Sequence, residues 1–102
     1  MKTSELKNLA LDWAVARHEG VKIIVAQENW DWYSSSWEHG GPIIEREAIQ
    51  LTPDEYRGTW TAYTTKKGEP YEGTGATPLI AAMRCYVASK VGDNIDIPEE
   101  LK

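Results

Sequence analysis

Apolar residues recur at spacings of three and four in two parts of the chain, one near each end. In residues 4–18 this spacing predicts an amphipathic helix with its apolar stripe turned toward a core. In residues 77–91 the same spacing is framed by Thr77, a good helix cap, by Pro78 in the first turn and by Gly92 just past the end. The pattern therefore predicts two amphipathic helices.

Between these helices the chain carries short β-branched and aromatic runs, which are typical of strands. We predict a strand over 21–26, another over 58–65 and a short edge at 71–72, while 43–51 fits a helical turn that leads into a strand. The predicted fold class is α+β, with the two helices packed on one face of a small, mostly antiparallel sheet. At 102 residues, the whole chain 1–102 is expected to form a single domain.

One segment, residues 27–42, has neither a helical nor a strand period. It is longer than the usual connection of about four to six residues, and we predict a long aromatic loop. Half-polar rings on a Gly- and Ser-rich loop suit either a recognition surface or a plug against the core, and the sequence leaves both interpretations open. Its candidate contact residues are Trp30, Trp32, Trp37, His39, Gly40 and Gly41.

The charge balance narrows the classes of partner. The chain has 11 Lys and Arg against 16 Asp and Glu, a formal net charge of −5, and its longest basic run is Lys66-Lys67. Affinity for duplex nucleic acid comes mainly from clustered cations, so this balance argues against such a ligand. No stretch approaches the roughly 18 apolar residues of a membrane span, and no export signal precedes the first helix. We therefore expect a cytosolic protein without a membrane partner.

The chain offers little for catalysis or metal binding. It has one cysteine, Cys85, in an apolar helical segment, and only two histidines, so neither a disulfide framework nor a zinc site is expected. It lacks a P-loop, a dinucleotide-binding glycine fingerprint, an HExxH motif and a nucleophile elbow. We predict that the protein is not an enzyme and takes no cofactor.

A second candidate site lies where the last helix begins. Two glycines and two threonines precede its first turn, and free amides at a helix start favour an anion. A plain turn that feeds a capped helix is the alternative. If this segment lies beside the aromatic loop, stacked indoles and backbone amides together would suit a nucleotide-like ligand. The residues proposed for the anion are Gly73, Thr74, Gly75 and Thr77, with Arg46 or Arg84 adding positive charge.

Three motifs together resemble one family: ALDWAVA at residues 10–16, GGPIIERE at 40–47 and TPLIAAMRCYVASKVGD at 77–93. The chain resembles the NinX-like family of small proteins from tailed bacteriophages and prophages, over nearly its whole length. The resemblance implies a phage origin, expression in the cytoplasm of the bacterial host and a dispensable helper role. It supplies no catalytic residue.

Three hypotheses about function follow. The first is a non-enzymatic binder that counters host defence by sequestering a nucleotide-derived signal, with a homo-oligomer helping to close the pocket. The second is an adaptor or inhibitor that binds a host or phage protein through the aromatic loop, because tryptophan is enriched at interface hot spots. The third is an accessory factor in phage nucleic-acid metabolism. Class analogy alone does not decide among them.

Overall fold

The computed structural model describes residues 1–21 and 32–101. Three α-helices and three strands account for most of these residues, and a short 3-10 helix lies near each end. In chain order they are 3-10 helix Thr3–Glu5, α1 Asn8–Glu19, α2 Trp37–Arg46, β1 Gln50–Asp54, β2 Thr59–Lys66, β3 Glu69–Gly75, α3 Pro78–Val91 and 3-10 helix Glu99–Leu101. The predicted strand 21–26 lies outside the described residues except for Val21, which is not in a strand.

The three strands form an antiparallel sheet in the order β1-β2-β3. Lys67 and Gly68 make a two-residue hairpin between β2 and β3, and both have positive φ, as the favoured hairpin turns require. Pro53 in β1 and Pro70 in β3 lie in the outer strands of this sheet, where a missing N–H is tolerated. The predicted strand 58–65 is confirmed as β2.

The core lies between one face of the sheet and the helices. Alternate residues of β2 and β3 point inward, and Ala62 pairs with Gly73 at the centre. Helix α3 covers this face with a stripe of buried residues, and α1 and α2 pack against α3. The α+β class is confirmed, with three helices where two were predicted. The buried residues of α3 are Leu79, Ala81, Ala82, Met83, Cys85, Tyr86 and Val87.

The helix ends follow the chemistry of their cap residues. Thr77 Oγ1 accepts a hydrogen bond of 3.1 Å from the Ile80 amide at the start of α3, and Gly92 ends the helix with φ +80°. Gly20 closes α1 with φ +75°. α1 begins four residues later than predicted. The φ of +52° at Asn8 separates α1 from the preceding 3-10 helix.

The structure differs from the sequence predictions in two segments. The aromatic loop predicted over 27–42 is not confirmed, since residues 37–42 lie in α2 and include Gly40, Gly41 and Pro42, while residues 27–31 lie outside the described residues. Tertiary packing of a buried face there overrides a poor helical sequence. The short edge predicted at 71–72 is confirmed as part of β3, and the alternative of a plain turn before α3 is wrong because β3 extends to Gly75. The prediction for 43–51 is confirmed, because α2 ends at Arg46 and β1 begins at Gln50.

Candidate functional site

A cluster of rings forms where the chain turns at residues 32–36. The centroid of Trp32 lies 5.3 Å from that of His39 and 5.7 Å from that of Tyr33. Tyr33 is buried and Trp32 is half-buried, so these rings pack partly against the core. Two of the predicted contact residues, Trp32 and His39, are thus brought together, while Trp30 lies outside the described residues.

Hydrogen bonds hold this turn in place. The Ser34 amide donates to Asp12 Oδ1 at 2.8 Å, and Asp12 is only 3% exposed, on α1. His39 Nδ1 and Ser36 Oγ lie 3.1 Å apart, so the imidazole is linked to the residue that precedes α2. The turn is therefore fixed to α1 on one side and to the beginning of α2 on the other.

Gly40 allows α2 to pack closely. A Cβ added there would lie 2.5 Å from the Tyr33 carbonyl oxygen and 2.6 Å from Leu79 Cδ2. Both distances are far inside van der Waals contact, so the fold requires glycine at this position. The contact with Leu79 also places the beginning of α3 beside α2, which brings the two predicted groups of site residues close together.

The outer side of α2 presents a different surface. Trp37 is 55% exposed, Gly41 follows one turn later, and half-buried Ile44 lies a further turn along the same line. Glu38 and Glu45, both exposed, form the neighbouring row. We call these five residues the α2 face. It combines an exposed indole with two exposed carboxylates on a rigid helix, which is a composition suited to contacting another molecule.

The two glycines of the predicted anion site pack against α3. A Cβ at Gly73 would overlap the Ala81 carbonyl oxygen and the Cys85 amide nitrogen, and one at Gly75 would lie 2.6 Å from Ile80 Cγ2. Their lack of a side chain therefore lets a strand meet a helix backbone to backbone. Anion binding by these residues stays a prediction.

The other members of that group already have intramolecular partners. Thr77 Oγ1 caps α3 through the Ile80 amide. Arg84 donates from Nε to the Leu6 carbonyl and from Nη1 to the Thr74 carbonyl, each at 2.7 Å. Burial lowers the pKa of Arg84. Its guanidinium thus ties the N-terminal segment and β3 to α3.

A group of charged and polar side chains, absent from the sequence predictions except for one arginine, lies where the helices end. Arg46 makes two hydrogen bonds to the Glu19 carboxylate, at 2.9 and 2.6 Å. Its Nε donates to Glu47 at 2.9 Å, and Lys66 and Lys90 lie 3.2 and 3.6 Å from the same carboxylate. We call this group the ion cluster. Its members are Glu19, Arg46, Glu47, Lys66, Tyr86 and Lys90.

The pairings keep the ion cluster charged. Hydrogen bonds from Arg46 lower the pKa of Glu19. Burial alone would raise the pKa of Glu47, but hydrogen bonds from Arg46 and Lys66 and the nearby lysine charges outweigh it, and the net direction is down. Tyr86 donates its hydroxyl to Glu19, and burial followed by this bond raises the pKa of Tyr86. The tyrosine therefore stays protonated.

Helix dipoles account for the net charge of the ion cluster. Glu19 ends α1, Glu47 follows α2 and Lys90 lies in the last turn of α3, so three helix C-termini meet there. Each C-terminus carries about −0.5 elementary charge. The side chains supply three cations and two carboxylates, a surplus of one positive charge, which offsets these ends. The ion cluster is therefore explained by the fold and leaves little positive field for an anion.

Reactive groups are poorly placed for chemistry. Cys85 is buried, its Sγ lies 3.5 Å from the Tyr71 carbonyl oxygen, and burial raises the pKa of its thiol to about 11. A protonated, inaccessible thiol is a weak nucleophile. Within residues 1–21 and 32–101, no three His, Cys, Asp or Glu side chains group as a metal site would require. Over the same described part, no helix has the length and apolarity to cross a bilayer.

A cleft of about 300 Å³ lies between the N-terminal segment and the beginning of α1. This volume is at the small end of the range of ligand pockets. Its lining mixes apolar and charged side chains, among them Leu9, Leu101, Glu5 and Lys7. It contains none of the residues predicted to contact a ligand, so it gives no support to the proposed nucleotide site.

Comparison with models of known protein families gives a match. A family model described as Bacteriophage P22, NinX matches residues 2–90, and so covers both the α2 face and the ion cluster. The match confirms the resemblance that the three sequence motifs indicated. A search of curated proteins finds no match.

Proposed function

The chain belongs to the family of NinX from bacteriophage P22 and is a small phage accessory protein, and from this premise we propose that it acts by binding another protein through the α2 face. One observation carries the proposal: Trp37 is 55% exposed on an ordered helix. Tryptophan is costly to leave in water and is enriched among the residues that dominate protein interfaces. An adaptor or inhibitor role follows.

The nucleotide-sequestration hypothesis has less support. The glycines meant to hold a phosphate, Gly73 and Gly75, lie against α3, and Arg84 is engaged by two carbonyl groups. The ion cluster has cations, but carboxylates and helix ends offset them. Calorimetry against cyclic and linear nucleotides tests this alternative. A nucleotide that binds and loses affinity in Arg84→Ala would favour it over the protein partner.

We further propose that the partner is a host or phage protein met in the bacterial cytoplasm, and that the interaction counters host defence. These parts of the proposal come from the phage context and not from the α2 face. They are tested by comparing phage plating, with and without the protein, on hosts that carry or lack a defence system. Equal plating in all four combinations would remove the anti-defence role and leave the binding role standing.

The binding proposal is tested by affinity capture from phage-infected cells. Wild type is compared with Trp37→Ala and with Tyr56→Ala, which removes another exposed ring, at the β1–β2 turn. We expect a partner to be recovered with wild type and Tyr56→Ala and lost with Trp37→Ala. A partner kept equally by Trp37→Ala would show that the α2 face is not its binding site.

A further inference from the structure

Helix α2 contains a glycine that its own packing does not explain. Gly41 has no positive φ, and among the described residues a Cβ added there would contact only Trp37 Cε3, at the ordinary distance of 3.9 Å. Glycine is the poorest helix former apart from proline, so alanine would suit the isolated chain better. Gly40, one residue earlier, is the contrasting case because a side chain there would clash. Packing among the described residues therefore gives no reason for a glycine at Gly41.

Pro42, the next residue, is also unfavourable inside a helix. Pro42 is exposed and lies inside α2, where it has no N–H to give to the carbonyl of Glu38. The Glu38 carbonyl thus lacks its normal hydrogen bond from residue 42. A bare glycine backbone next to this irregular part of the helix permits close approach by another chain. Departures from helical preference of this kind are expected at functional sites.

Charge identifies the chemistry of the approaching chain. Glu38 and Glu45 are exposed beside Trp37, and the nearest cation on α2, Arg46, is bound to Glu19 and to its neighbouring glutamate. The net charge of the whole chain is −5. A second copy of this chain would bring like charges together, which disfavours self-association through this face. A basic partner is electrostatically complementary.

We propose that the α2 face binds a basic polypeptide segment whose backbone packs over Gly41. The Trp37 indole covers an apolar side chain of this segment, and Lys or Arg side chains of the segment pair with Glu38 and Glu45. The inference rests on the proposed function, because it names the chemical class of the partner at the same face. It adds that backbone of the partner contacts Gly41, and that basic side chains on either side of this contact pair with Glu38 and Glu45.

A displayed library of random short peptides tests the inference and does not require the partner to be identified first. The library is selected on wild-type protein after depletion on Trp37→Ala. The enriched peptides are then measured by calorimetry against Gly41→Ala and Glu38→Lys/Glu45→Lys. Glu55→Lys/Glu69→Lys, which reverses two exposed carboxylates outside α2, is the matched control.

We expect the enriched peptides to be rich in Lys and Arg and to lose about tenfold or more in affinity with Glu38→Lys/Glu45→Lys and with Gly41→Ala. The control double variant should change affinity far less. Neutral or acidic enriched peptides, failure to enrich any peptide, or equal binding by Gly41→Ala would overturn the inference. A Trp37-dependent dimer in sedimentation would overturn it too, because a second copy would then occupy the face.

The two proposals fail separately. If infected-cell capture depends on Trp37 but the selected peptides are not basic, the α2 face binds protein and only the partner's chemistry is wrong. If basic peptides bind but no captured protein depends on Trp37, the face recognises basic segments without using that property in the infected cell.

Discussion

Helices α2 and α3 lie against each other and yet differ in how they relate to their sequences. α3 has a threonine cap, a proline in its first turn and a glycine after its end, and its buried stripe covers the sheet. α2 has Gly40, Gly41 and Pro42 in its interior and a half-exposed tryptophan at its start. The contrast teaches that packing explains α3 and Gly40, whereas packing among the described residues gives no reason for Gly41 or for an exposed Trp37.

The largest expected effect is at the contact between β3 and α3. Gly73→Ala should lower the free energy of unfolding by about 3 kcal/mol, because the added methyl group would overlap α3 backbone atoms that have no room to move. Urea unfolding measures it. Gly68→Ala is a weaker comparison, since no other described residue lies within 4 Å of an added Cβ and its cost comes from its positive φ. A Gly73→Ala protein as stable as wild type would mean that β3 and α3 are not packed this closely.

Next comes the ion cluster, which joins the ends of all three helices. Glu47→Gln should lower the free energy of unfolding by about 2 kcal/mol, because it removes the buried carboxylate that pairs with the cations. The effect is moderate because those cations are partly exposed. Arg57→Ala removes an ion pair of 3.8 Å at the surface and serves as the control. It should change stability by less than about 0.5 kcal/mol. Equal effects of the two changes would show that the ion cluster does not hold the helix ends together.

A smaller effect should appear as a dependence on pH. Burial, then the charges of Arg17 and Lys90, lower the pKa of His18 below its ordinary value of 6.5, and its Nε2 is buried without a hydrogen-bond partner among the described residues. As the pH falls, His18 is therefore protonated in the unfolded chain before it is protonated in the folded chain. Its contribution to stability is complete above pH 6.5 and declines as the pH falls below 6.5. We expect this loss of stability to be small, because solvent screens the charge of a partly exposed side chain.

His18→Gln should abolish this part of the decline, as followed by thermal unfolding at a series of pH values. A second decline, below pH 4.5, should remain, because the pKa values of Glu19 and Glu47 are lowered from 4.5 and their stabilising charges are lost only in that range. If His18→Gln leaves the first decline unchanged, another group is responsible for it.

The last change has the opposite sign and separates the two glycines of α2. Gly41→Ala should raise stability by about 0.5–1 kcal/mol, since alanine is the better helix former and its methyl group fits beside Trp37. Gly40→Ala, its matched comparison, should destabilise through the clash with Tyr33 and Leu79. Urea unfolding of both variants checks this. Destabilisation by Gly41→Ala would mean that the fold itself requires that glycine.

Sequence reasoning predicted the elements whose local signals agree with their packing. The cap at Thr77, the glycine after α3, β2 and the fold class could all be derived in this way. It missed α2 because Gly40-Gly41-Pro42 is typical of a loop, whereas close packing of Gly40 against Tyr33 and Leu79 and burial of Ile43 favour a helix there. A plain turn at Gly73 and Gly75 was one of its two alternatives, because glycine for close packing and glycine for a turn look alike in a sequence.

The ion cluster could not have been predicted from spacing. Glu19, Glu47, Lys66 and Lys90 are far apart in the chain, and they meet only because three helices and β2 end at one place. The α2 face was half predicted. Trp37 and Gly41 were named as contact residues, but their position one turn apart on a helix, with glutamates alongside, required the structure.

The central claim is that the fold does not need Trp37 exposed and that a partner does. The most direct test is the amount of partner captured from infected cells by Trp37→Ala relative to wild type, under conditions in which urea unfolding shows both proteins to be folded. We predict that Trp37→Ala keeps its stability to within about 1 kcal/mol, since more than half of the indole is already in solvent, and captures little or no partner. Capture equal to wild type by the folded variant would contradict the account.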